Sequence, residues 1–125
     1  MSAPTTSTTT PAAVVERYLA AWNEPDAAAR RPLVEAAFAP GITYADPMFA
    51  ARGHDEVDAM VGGVHTAYAG CRFALTGEVE SSHNRLLWHW NLVRPDGAPV
   101  ARGLDVAVDD ADGRLTDVSG FFRPA

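Results

Sequence analysis

"RFALTGEVE" (residues 72–80), "RLLWHWNLV" (85–93), "PVARGLDVAVD" (99–109) and "RLTDVSGFF" (114–122) follow one another with only "SSHN", "RPDGA" and "DADG" between them. Within these runs apolar side chains recur at every second position, the period of a half-buried strand. The short separators carry the Gly, Pro, Asn and Asp that tight turns require. Four long strands in antiparallel succession are therefore predicted from Arg72 onward.

Upstream of Arg72 the apolar period is helical. Thr10 can cap a helix whose first position is Pro11, with Val14, Val15, Tyr18, Leu19 and Trp22 on one stripe. A second helical segment begins near "NEPDAAARR" and carries Leu33, Val34, Ala37 and Phe38; Pro32 is expected to kink or divide it, and Pro40 with Gly41 to stop it. "ITYA" (42–45) reads as a short strand, ending where Pro47 withdraws a backbone donor and holds Asp46 extended. Val57, Met60, Val61, Val64 and Tyr68 then mark a third helix that ends at Gly70. This order predicts an α+β fold: three N-terminal helices on one face of a curved, mostly antiparallel sheet, with a deep pocket between them. The domain is expected to span residues 11–125, behind a disordered Ser/Thr/Pro tail, residues 1–10. "MSAPTTSTTTPA" has neither the basic start nor the apolar centre of a signal peptide.

A chain of 125 residues, 47% hydrophobic, is the size of one domain with a real core. Its net charge of -6 argues against nucleic acid as a partner, which would require clustered positive charge. Every basic residue is Arg, and the absence of Lys removes Schiff-base chemistry and the P-loop lysine. Cys71 is the single cysteine, so neither an internal disulfide nor a cysteine zinc site can form, and a cytoplasmic location is expected. No apolar run is long enough to span a membrane. The four His residues lack metal-ligand spacing and "DDADG" reads as turn chemistry, so no metal is expected.

Three residues invite a chemical reading. Alternation in "VARGLDVAV" (100–108) puts Val100, Leu104, Val106 and Val108 on one face and Ala101, Gly103, Asp105 and Ala107 on the other. Either the valine face is core and Asp105 is solvated, or Asp105 stands inside among small residues. Tyr18 shares the apolar stripe of the first helix, so its hydroxyl needs a buried partner. Asp46 is either the opener of an Asp-Pro turn or a functional acid among apolar neighbours. Likewise, Leu86, Trp88, Trp90 and Leu92 share one face of their strand and Leu87, His89, Asn91 and Val93 the other, with either set able to face the pocket.

"VVERYLAAWN", "YADP", "GLDVAV", "ADGRL" and "GFF", in this order over about residues 11–123, resemble the ketosteroid isomerases of the NTF2-like (SnoaL-like) superfamily. The resemblance implies a cone-shaped fold, with Asp46 at the family's general base and Tyr18 and Asp105 at its two hydrogen-bond donors to the dienolate oxygen. Ketosteroid isomerase is a standard illustration of this logic, in which one acid stays ionised and another stays protonated within one site. Trp22, Phe49, Met60, His65, His89, Asn91 and Phe121 are the expected substrate-binding residues.

The leading expectation is a cofactor-independent, isomerase-like enzyme acting on a small hydrophobic carbonyl compound, steroid- or polyketide-like. A polyketide cyclase of the same superfamily would place an acid in the final strands, where Asp117 is the candidate. The alternative is a non-catalytic small-molecule-binding or dimerisation module. In either case a valine-rich sheet face left bare by helices would be covered by a second copy, so a homodimer is expected.

Overall fold

A computed structural model describes residues 9–123. The expected tail therefore lies, up to residue 8, outside the described residues. Thr10 caps α1 (Pro11–Trp22), its Oγ1 accepting from the Ala13 amide at 3.2 Å, with Pro11 in the first turn. Asp26 caps α2 (Ala27–Ala37) in the same way, accepting from the Ala29 amide at 2.9 Å.

Two expectations for this region are corrected. Pro32 does not divide α2, which runs through it; it sits on the exposed side of the helix, where a lost backbone hydrogen bond is least costly. Phe38 is not helical but opens β1 (Phe38–Ala45), which runs through Pro40 and Gly41. Pairing with the last strand slips between Phe38 and Thr43, and this irregularity absorbs the proline that has no N–H to give. A short strand that the sequence did not signal, β2 (Ala50–Arg52), folds back on β1 and leads into α3 (Gly53–Ala67).

The four long strands form as the alternation predicts: β3 (Arg72–Ser82), β4 (Arg85–Val93), β5 (Pro99–Asp109) and β6 (Leu115–Arg123). The sheet order is β2-β1-β6-β5-β4-β3, antiparallel throughout except where β1 runs parallel to β6. All three helices pack on one face. Val14, Val15, Val34, Val57 and Val61 from the helices meet Phe38, Trp88, Leu115 and Val118 from the sheet in one core. Arg30, only 4% exposed, ties α2 to α3 through Asp58 and donates to the Glu24 and Pro25 carbonyls.

Burial decides the two open questions of facing. Leu86, Trp88, Trp90 and Leu92 point at the helices, as do Gly103, Asp105 and Ala107. The acid side of β5 is therefore the inner side, and the Leu104 and Val106 side faces outward with no helix over it. Val106 is 37% and Phe121 53% exposed there.

Candidate active site

The inner face of the sheet and the helices enclose a pocket that gathers Tyr18, Asp46 and Asp105 in its lining. Each arrives for a local reason. Tyr18 lies on the buried stripe of α1, its ring edge-on to Trp88 at 4.9 Å and to Phe38 at 5.6 Å. Asp105 is delivered by strand alternation on β5. Asp46 follows the last residue of β1, two positions after Tyr44 and on the same side.

Asp105 is 2% exposed, and Tyr18 Oη donates to its Oδ2 at 2.9 Å. Burial pushes its carboxyl up to about 7; hydrogen bonds from Tyr18 and from the Trp90 indole hold it back, and the Asp46 charge adds a little. Near neutrality the acid is thus poised between its protonated and ionised forms. Burial, then the Asp105 charge, raises the Tyr18 hydroxyl well above the ordinary tyrosine value, so it stays a donor.

Asp46 is held from three directions. Its Oδ1 accepts the Met48 and Phe49 amides, each at 2.8 Å, and its Oδ2 accepts the Tyr44 hydroxyl at 2.6 Å. The Asp46 amide in turn donates to the Phe49 carbonyl at 2.9 Å, closing the turn around Pro47. Both readings of "YADP" therefore hold geometrically: the acid builds the turn and also faces the pocket. A carboxylate offers roughly four lone-pair sites, so one remains available.

Of the expected substrate-binding residues, Trp22 and Phe49 line this pocket. The others are placed elsewhere, and each has a physical reason. Met60 is packed in the core. The Nε2 of His65 stands 2.7 Å from the Trp22 carbonyl, joining α3 to the end of α1. His89 and Asn91 fall on the outer side of β4 because the Trp pair takes the inner side; with Arg102 and Arg123 they border a separate, more open hollow. Phe121 also faces outward, and its neighbour Phe122 enters the pocket, because Gly103 pairs with Phe122 and shares its side of the sheet. Asp117 is exposed, its Oδ1 accepting from Thr43 Oγ1 at 2.6 Å, so no cyclase acid stands in the pocket at that position.

Tyr44 and Gly120 are site residues that the sequence reading did not name, and Trp90 is one that it left open between the two faces of its strand. Tyr44 was signalled by its spacing of two from Asp46. Gly120 pairs with Asp105 across the ladder and leaves the space between the two acids open. Among the described residues no group of three His, Cys, Asp or Glu side chains is placed to hold a metal ion, and no helix is long and apolar enough to cross a membrane.

Three helices clasping a curved, unclosed sheet around an acid-and-tyrosine pocket define an NTF2-like cone, and solved structures with this cone superpose on the chain. An NTF2-like protein of unknown function from Exiguobacterium is 22% identical, with 90% of this chain and 99% of that one covered and a TM-score of 0.70. A proposed SnoaL-like polyketide cyclase from Jannaschia is 16% identical, covering 98% and 90%, with a TM-score of 0.66. At those identities the likeness is one of fold. Nearer is a proposed isomerase of the SnoaL-like family from Agrobacterium tumefaciens, 36% identical over 90% of this chain and 97% of that one, with a TM-score of 0.86. The family model for the SnoaL-like domain matches residues 15–118, and the chain belongs to that family. It has no match among curated proteins.

Proposed function

We propose that the chain is a cofactor-independent enzyme acting on a hydrophobic carbonyl compound by proton abstraction and enolate stabilisation. Asp46 removes a proton from the carbon beside the carbonyl. The C–H electron pair moves into the carbon framework and the carbonyl oxygen becomes an enolate, held by the Tyr18 hydroxyl and by Asp105 in its protonated form. Return of the proton to another carbon completes an isomerisation; attack of the enolate carbon on a second carbonyl gives an aldol-type cyclisation. The observation that carries this reading is the 2.9 Å hydrogen bond between Tyr18 and a deeply buried Asp105 in the pocket that also contains Asp46. Tyr18 donates to Asp105 Oδ2 in this arrangement, and an arriving oxygen takes over that donation together with the Asp105 proton.

A second reading, a small-molecule-binding module without turnover, is favoured by the three hydrogen bonds on Asp46, which give the acid a sufficient structural task. Proton exchange on an enolisable ketone separates the two. Asp46→Asn abolishes exchange if Asp46 is the base; unchanged exchange removes Asp46 as the base, and no exchange in the wild type leaves the binding module. The same proposal includes a homodimer formed through the bare outer face of the sheet and a cytoplasmic location.

A further inference from the structure

We propose that Trp90, seated on Gly103, limits the substrate to a compound with a single ring at its reacting end and excludes fused polycyclic skeletons. The inference rests on the proton-transfer reading of Tyr18, Asp46 and Asp105 and names the substrate class of that site.

The cavity holds about 90 Å³. That is less than the roughly 150 Å³ that accommodates one benzene ring and far below the roughly 300–1,000 Å³ of pockets for drug-sized ligands, so a single ring already fills the enclosed part and reaches the mouth. Five aromatic rings account for the missing space. Tyr44, Trp22, Phe73, Trp90 and Phe122 touch in succession, with centroids 5.8, 5.2, 5.3 and 6.0 Å apart, and form an arc along the pocket wall.

Trp90 is the member of the arc that is set into the sheet itself. A Cβ on Gly103 would stand 2.2 Å from its Cζ2 and 2.6 Å from its Cε2, so the indole occupies the place where β5 omits a side chain. Phe73 and Phe122 meet it nearly at right angles, at 79° and 89°, and flank it on two sides. Its indole also lowers the Asp105 carboxyl, against the effect of burial, which places the ring beside the group that would hold the enolate oxygen. A reacting carbonyl can therefore bring one ring over the acids, and the remainder of the molecule must leave by the mouth. That mouth is apolar and open: Met48 is 62% exposed, Phe122 44%, and Phe49 and Tyr68 each 39%.

The test uses phenol, 2-naphthol and a four-ring fused phenol as enolate mimics, titrated by calorimetry. In an open apolar pocket each added ring buries more surface and binds tighter. Here the expected order is reversed, with affinity falling by about tenfold from phenol to the fused compounds, and Trp90→Leu restoring the ordinary order. Wild-type affinity that rises with ring number overturns the size limit. If phenol binding is lost in Tyr18→Phe while ring number makes no difference, the size limit fails and the enolate site stands. Failure of every phenol to bind overturns both. The wild-type series decides the matter by itself should Trp90→Leu not fold.

Discussion

Gly120 lies directly across the β5–β6 ladder from Asp105, and a Cβ placed on it would stand 2.9 Å from Asp105 Oδ1 and 3.1 Å from the Asp46 Cβ. The two acids approach one another only because this residue has no side chain. Gly120→Ala is therefore expected to displace one or both carboxyls at a cost of roughly 1–3 kcal/mol in stability. Activity should fall further than stability explains, since proton abstraction and oxygen stabilisation depend on their mutual placement. Thermal unfolding beside proton exchange on an enolisable ketone checks this; an active, destabilised variant would show that the spacing is structural only.

The Asp105 carboxyl imposes a pH dependence whose sign follows from its raised value. At pH below 3.8, the carboxyl's ordinary value, it is protonated in both the folded and the unfolded chain. As pH rises from there to about 7, the unfolded chain gives up the proton while the fold retains it. Stability is thus expected to decline across that window, by at most ~1.4 kcal/mol per pH unit, and to level off above it. Asp105→Asn should remove this part of the decline, leaving any contribution of Asp109, whose carboxyl burial also raises. Urea midpoints of both proteins across the window give the comparison, and parallel curves would sink the assignment. On the proposed mechanism, activity should fall as pH passes about 7, because ionised Asp105 would have no proton to offer the enolate oxygen.

Tyr44 holds Asp46 in place through its hydroxyl. Its hydroxyl, kept protonated by burial and by the neighbouring Asp105 and Asp46, fixes Oδ2 at 2.6 Å while two amides fix Oδ1. In Tyr44→Phe the turn survives on its amide bonds, and Oδ2 is free to rotate out of line. A hydrogen bond to a charged group is worth roughly 1.5–3 kcal/mol, so kcat should drop by about ten- to a hundredfold with KM little changed. A rise in KM at constant kcat would instead make Tyr44 a binding residue.

Much of this architecture could be read from the chain, and the exceptions have physical causes. Period-two alternation and turn residues give β3 to β6, and caps at Thr10 and the apolar stripe of α1 place Tyr18 inward. Alternation fixes which residues share a face, but not which face is buried. Alternation left the valine and Asp105 sides of β5 open; the family resemblance pointed to Asp105, and burial puts its side within. The same ambiguity moved His89, Asn91 and Phe121 outside and brought Trp90 and Phe122 in, a one-residue choice that exchanges every contact. Gly103 and Gly120 are silent in sequence because their function is to be absent where an indole and two acids need room.

The outer face of the sheet leads to the last prediction. Phe121 is 53% and Val106 37% exposed on a side that no helix covers, with Leu87 and Leu104 beside them. In the β4–β5–β6 ladder Leu104 pairs with Phe121, and Val106 with Leu87, so these side chains form one contiguous patch at the middle of the sheet. Apolar groups so arranged are costly to leave in water, and a two-fold pairing of equivalent faces covers them without creating a new open surface. Light scattering at micromolar concentration is expected to return twice the mass of the chain. Phe121→Asp should halve that mass while leaving phenol binding intact, since Phe121 points away from the pocket. A wild-type protein that scatters as a single chain refutes the pairing, and loss of phenol binding on dissociation would show that the second copy supports the pocket.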